Sequence, residues 1–161
     1  MRMIALVSLS ALALTGCAAK EVAVGVTAAP VAVAAPYAPV IPTGMGGFAQ
    51  ASTLPFHAPD FSKIKDSDFQ PAILQGIAIN KAEIEAIAGN PAEPTFESTL
   101  TAMERSGQML TRARAVFSAL AAANTNDTLD AIDSATAPQL AALQDSIYLN
   151  DRLFARIKHI R

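Results

Sequence analysis

Residues 66–91 read DSDFQPAILQGIAINKAEIEAIAGNP, and their spacing decides the fold class. Phe69, Ile73, Ile77, Ile84 and Ile87 recur at steps of three or four, with Asn80 filling the gap in the row. That is the 3.6-residue period of a helix with one apolar face. Asp66 and Asp68 are acidic caps ahead of Pro71, so the helix is expected to start near them. Gly89 and Asn90 then supply a left-handed stop, and Pro91 prevents continuation.

Working downstream, the same period returns three times. Thr95 is the natural cap of a second helix, with Glu97 in its first turn. Phe96, Leu100, Met103, Gly107, Leu110, Ala113, Phe117 and Leu120 form its expected buried stripe, running to about Ala123. A glycine inside a helix costs about 1 kcal/mol relative to alanine. Gly107 lies on the stripe, which favours a close helix crossing over a bend. Asn124-Thr125-Asn126-Asp127 reads as a turn, with Asp127 capping a third helix. Leu129, Ile132, Thr136, Leu140, Leu143 and Ile147 keep phase across Pro138. Thr136 and Gln139 stand at capping-box spacing, so Pro138 is expected to open a fresh helix after a kink. Asn150 caps a last helix holding Leu153, Phe154, Ile157 and Ile160, with no Gly, Asn or Pro terminator before Arg161. The body, residues 53–161, thus reads as all-α, an antiparallel bundle fragment of about four helices.

Upstream the character changes. Leu54-Pro55-Phe56 and Pro59-Asp60-Phe61 form an extended lead-in, since proline biases the residue before it away from helix. Residues 17–52 are rich in Ala, Pro and Gly; after Cys17 only Lys20 and Glu21 are charged. Pro30, Pro36, Pro39 and Pro42 interrupt any helix, and too few large side chains are present to offset ordering entropy. A flexible spacer is expected there. Residues 1–16 read as a signal peptide. Arg2 is its positive start, and Met3–Leu14 is an uncharged apolar run that as helix would rise about 18 Å, well short of the ~30 Å hydrocarbon core. Leu14-Thr15-Gly16-Cys17 resembles the lipobox of bacterial lipoproteins, in which the cysteine thiol is acylated and becomes the first residue after cleavage. Ala18 follows where an Asp would be read as an inner-membrane retention signal. The expected address is the outer membrane by a lipid anchor at Cys17, with the body in the periplasm. An ordinary signal peptide cut near Ala18 or Ala19 is the alternative.

Composition excludes several functions. The 161 residues are 52% hydrophobic, 6% aromatic and 16% charged, with 12 basic and 14 acidic side chains. A net charge of −2 without a basic cluster gives no footprint for nucleic acid. One Cys allows no internal disulfide and no multi-cysteine zinc site. His57 and His159 stand 102 positions apart and form no paired metal motif.

Nor does any spacing assemble catalysis. Neither histidine has a nucleophile or carboxylate at a recognisable distance, so both read as surface or packing residues. Glu83 and Glu85 point to different helix faces, while Glu97 and Glu104 share one; all read as solvated charges rather than an acid–base pair. Asn124–Asp127 lacks the ligand pattern of a calcium loop. Asn126-Asp127-Thr128 fits a glycosylation sequon only by accident in a lipoprotein context. Arg105, Arg112 and Arg114 read as a solvated face, with docking onto another domain as the sharper alternative. No catalytic, metal or cofactor residue is assigned; Cys17, within Leu14-Thr15-Gly16-Cys17, is the single chemical signal.

A resemblance goes further than these spacings. Leu54-Pro55-Phe56 and FSKIKDSDFQPA (61–72) are joined by NPAEPTFEST (90–99), ERSG (104–107), ANTNDT (123–128) and YLNDRLFARI (148–157). Together, in this order, they resemble the N-terminal helical region of bacterial zinc metallopeptidases related to thimet oligopeptidase, the peptidyl-dipeptidase Dcp branch above all. The resemblance implies helices forming one wall of a deep substrate channel, whose opposite wall carries a zinc-binding His-Glu-x-x-His helix. It implies zinc as the parent's cofactor, short peptides as substrates and release of C-terminal dipeptides. No His-Glu-x-x-His occurs here, so no zinc or catalytic residue transfers to any position. Family members are several times longer, and the expected partner is a C-terminal catalytic domain lying outside this sequence.

Two functions are therefore carried forward. The first is the non-catalytic channel-wall part of a lipid-anchored peptidase, this chain itself being inactive. It predicts an exposed apolar patch on the last two helices. The alternative is a self-contained helical envelope lipoprotein with a binding or structural role, which predicts a cooperative melt as a soluble monomer.

Overall fold

The computed structural model describes residues 46–160. Among these residues every regular element is helical. Helix α1 spans Asp66–Ala88, starting where the acidic residues place it. The Asp68 carboxylate accepts the Lys65 backbone N–H at 2.9 Å, and Asp66 and Asp68 both face the positive end of the helix dipole. At the other end the stop differs from expectation. Gly89 has φ −89°, an ordinary conformation, and donates to Glu85 O at 2.9 Å. The chain turns because Asn90 bonds back to Ile87 O and its side chain accepts the Ala92 N–H at 2.9 Å.

Burial on α1 is wider than a single row. Phe69, Ile73 and Ile84 are buried as the period requires, while Ile77 and Ile87 are half-buried. Ala72, Gly76, Ile79 and Ala88 are buried beside them. The reason is tertiary: α1 packs along both α3 (Gln108–Asn124) and α4 (Asp127–Tyr148), which touch one another only slightly. Phe69 meets Phe117 and Gly76 meets Leu110, so α3 runs antiparallel to α1. Asp66 meets Asn126 at one end and Glu85 meets Asn150 at the other, so α4 runs parallel to α1. A Cβ at Gly76 would lie 2.8 Å from Leu110 Cα, which makes Gly76 the close-crossing glycine of the fold.

Gly107 plays the other role, contrary to expectation. It has φ +68° and breaks the long second helix in two. Before it, a π-helical turn at Glu97–Thr101 runs into α2 (Ala102–Arg105); after it, α3 begins. Glycine is the residue suited to this left-handed position. A Cβ there would also stand 1.8 Å from the Asn80 side-chain nitrogen. The Gly107 N–H donates to Glu83 Oε2 at 2.7 Å, which pins the break to α1. Thr95 does cap the upstream piece: its Oγ accepts the Ser98 N–H at 3.1 Å, and Ser98 Oγ accepts the Thr95 N–H at 3.0 Å.

The α3–α4 turn shortens to two residues, Thr125 and Asn126, and Asn126 rather than Asp127 is the cap, accepting the Leu129 N–H at 3.0 Å. Helix α4 passes through Pro138 unbroken. Pro138 sits on the exposed face, and the Ser134 carbonyl it leaves without a backbone partner belongs to an exposed residue. Thr136 is no cap; its hydroxyl, fully buried, donates to Ile132 O at 2.9 Å. Asn150 caps α5 (Asp151–His159) as expected, accepting the Leu153 N–H at 3.0 Å.

The packed body also reaches into residues expected to be spacer. Phe48, in a short turn at Gly46–Phe48, is 2% exposed. Its ring lies 5.3 Å from that of Phe69, which in turn lies 5.4 Å edge-on from Phe117. The lead-in is not plainly extended either, forming short turns at Pro55–His57 and Phe61–Lys63. Phe56 and His57 both have φ near +60°, a conformation that costs roughly 1–3 kcal/mol at non-glycine residues.

Candidate functional site

Two concavities stand out among the described residues. The first, about 680 Å³, lies between the lead-in and α3 and is lined by Phe48, Leu54, His57, Asp60, Lys63 and Arg112 among others. Arg112 is half-buried and donates to the carbonyls of Phe48 and Ala49 at 3.1–3.3 Å. Burial pushes its guanidinium pKa down. Asp60 accepts from the Ser62 hydroxyl at 2.6 Å and pairs with Lys63 at 2.9 Å. The Ser62 bond first, then the Lys63 ammonium, holds the Asp60 carboxyl below its ordinary range, and Asp60 raises Lys63 in return. His57 is exposed, with Nδ1 2.8 Å from Ser52 O. Arg112 thus ties residues 48–49 to α3, while the Asp60 and His57 contacts stay within residues 52–63.

The second concavity, about 460 Å³, is an apolar groove between the π-helical turn and α5. Phe96, Leu100, Phe154, Ile157 and Ile160 line it, with Lys158 as the one charged member. Phe96 is 65% exposed and Phe154 64%. Phe96 departs from the buried stripe expected of it. The break at Gly107 lets the Phe96 piece run out of register with α3, and α5 turns Leu153 and Arg156 inward instead. Tyr148 and Leu149, at the end of α4, are also exposed, so the apolar surface expected on the last two helices is present.

Arg156 is the residue that sequence reading missed. It is 6% exposed, and its Nη1 donates to Asn90 O at 2.7 Å and Ala92 O at 3.1 Å. Its place three residues after Leu153, in phase with the buried row, was the available signal. The charges read as solvated are also engaged: Glu83 holds Gly107, Glu85 binds Arg152 and Asn150, and Glu97 pairs with exposed Arg105 at 3.2 Å. Arg114 is exposed, as is Glu104. His159 is exposed and lies 3.3 Å from Glu93. Cys17 and its neighbours Leu14, Thr15 and Gly16 lie outside the described residues.

Among the described residues no group of three His, Cys, Asp or Glu side chains could hold a metal ion. Together with the two separated histidines, this is a poor fit to a zinc centre. Among the same residues no helix is long and apolar enough to cross a membrane.

No family model matches the chain. It is, however, 49% identical over 106 residues to the dipeptidyl carboxypeptidase of Salmonella typhimurium and 46% identical over 115 residues to that of Escherichia coli. These alignments take in 66% and 71% of this chain but 16% and 17% of the relatives. The chain therefore spans about a sixth of the length of the curated relatives it matches. The likeness is to the N-terminal region of a peptidyl-dipeptidase, as its motifs indicated.

Proposed function

With most of this chain homologous to a sixth of a dipeptidyl carboxypeptidase, we propose that it is the non-catalytic helical part of such a peptidase. In this reading the helices form one wall of the channel that admits short peptides, and the parent releases dipeptides from C-termini. The supporting observation is the identity of 46–49% over more than a hundred residues. Zinc belongs to the parent's catalytic region. The described residues of this chain do not group into a zinc site, and no chemical step is assigned to them. In the same reading Cys17 carries the lipid, the outer membrane holds the anchor and the body faces the periplasm.

The reading frame beyond Arg161 tests the first part. A frame that continues to His-Glu-x-x-His makes this the front of a zinc peptidase; a stop codon directly after Arg161 overturns the peptidase reading for this product. The anchor is tested by metabolic labelling with a radioactive fatty acid in the full chain. Label that vanishes in Cys17→Ala supports it, and an unlabelled wild-type chain rejects it.

A further inference from the structure

The groove between the π-helical turn and α5 has features that its own fold does not use. On helix α5, Leu153 and Ile157 pack against the body, while Phe154 stands 64% exposed at the groove, which Ile157 also lines. The groove is also fixed in shape. Arg156 clamps α5 to the 90–92 loop through two carbonyls and reaches Ser98 Oγ at 3.4 Å, so both walls are tied to one buried guanidinium.

Resting on the peptidase reading above, we propose that this groove is the seat of the segment that follows position 160 in a polypeptide of the relatives' length. The groove's chemistry selects an apolar occupant, since five of its six side chains are apolar and Lys158 alone is charged. Aromatic side chains such as Phe96 and Phe154 gain most from being covered, each burying about 150–250 Å². Geometry selects the segment: Ile160 is itself a lining residue, so a chain continuing past it leaves from the rim of the groove. A covalently joined segment has a high effective concentration at the groove, so a modest apolar contact suffices to seat it. The relatives have that further chain, since the matched stretch is only 16–17% of their length.

The test is a chimera in which the matched stretch of the S. typhimurium dipeptidyl carboxypeptidase is replaced by the corresponding residues of this chain. Peptidase activity and the rate of limited proteolysis are then compared with and without Phe96→Asp and Phe154→Asp. The expected result is an active chimera whose variants are cleaved after the grafted stretch faster by on the order of tenfold or more. The same substitutions should leave the melting of the isolated 161-residue chain unchanged, which checks that they do not unfold it. An active chimera whose variants resist protease as well as the parent overturns the groove's role and leaves the peptidase reading standing. An inactive chimera, where re-grafting the native stretch restores activity, overturns the peptidase reading and the proposal with it. An isolated chain that dimerises, and loses the dimer with Phe154→Asp, assigns the groove to a second copy instead.

Discussion

Phenylalanine is used in opposite ways at the two ends of this molecule. Where the start of α1 meets the end of α3, Phe48, Phe69 and Phe117 stack ring to ring and are shut off from solvent. Where α5 passes the π-helical turn, Phe96 and Phe154 stand about two-thirds exposed. The first end is closed by the chain itself, including a residue from the expected spacer. The second is held by the Arg156 hydrogen bonds but not covered. An apolar side chain therefore reports on stability at one end and, in the proposed reading, on partnership at the other.

Truncation breaks the comparison most directly. Phe69→Ala is expected to cost about 3–5 kcal/mol in urea unfolding, as fully buried phenylalanines do. Phe154→Ala in the same chain should stay within about 0.5 kcal/mol. Equal losses would mean that the two ends are not different in kind. Next in size are the glycines. Gly76→Ala forces a methyl against the α3 backbone and should cost about 1–3 kcal/mol, as overpacking does. Gly107→Ala meets both the left-handed backbone and Asn80, so its loss should be no smaller; a neutral result would show that the break can heal into the continuous helix expected from sequence.

Asn150→Ala should lose about 1 kcal/mol by uncapping α5. Because α5 forms one wall of the groove, its amide exchange should rise more than that of α3. The smallest effect concerns charge. Asp60 titrates below its ordinary value of 3.8, so its contribution is present above that value and disappears as the pH falls through the lower, folded-state value. The site is exposed and salt screens it, so the change shows in an NMR titration rather than in melting. The Asp60 midpoint should move up toward 3.8 in Ser62→Ala. A midpoint that does not move would remove the hydroxyl as the leading cause.

What was legible in the sequence was local. The limits of α1, the Thr95 and Asn150 caps and the all-helical class follow from residues within a turn of one another. The break at Gly107 was not legible, because the carboxylate that fixes it, Glu83, stands 24 residues away. The same distance problem exchanged the roles of the two glycines: only the packed structure puts Leu110 against Gly76. Pro138 misled in the opposite direction, since a proline on the solvent side of a well-packed helix need not end it. For the candidate site, the patch on the last helices could be anticipated from α5, but the Phe96 wall could not, because its register depends on the Gly107 break.

The central position of α1 has a consequence in time. Helices α3 and α4 barely touch, so they cannot form a stable hairpin from neighbouring sequence and must each find α1. During synthesis α1 emerges first, with two sides to be covered. Phe117 and Leu143 follow some 50 and 70 residues after Phe69, and until they arrive those surfaces have no native partner. Such long-range closure slows folding relative to a bundle of local hairpins. It leaves a nascent chain in which α1 is the segment most in need of a chaperone.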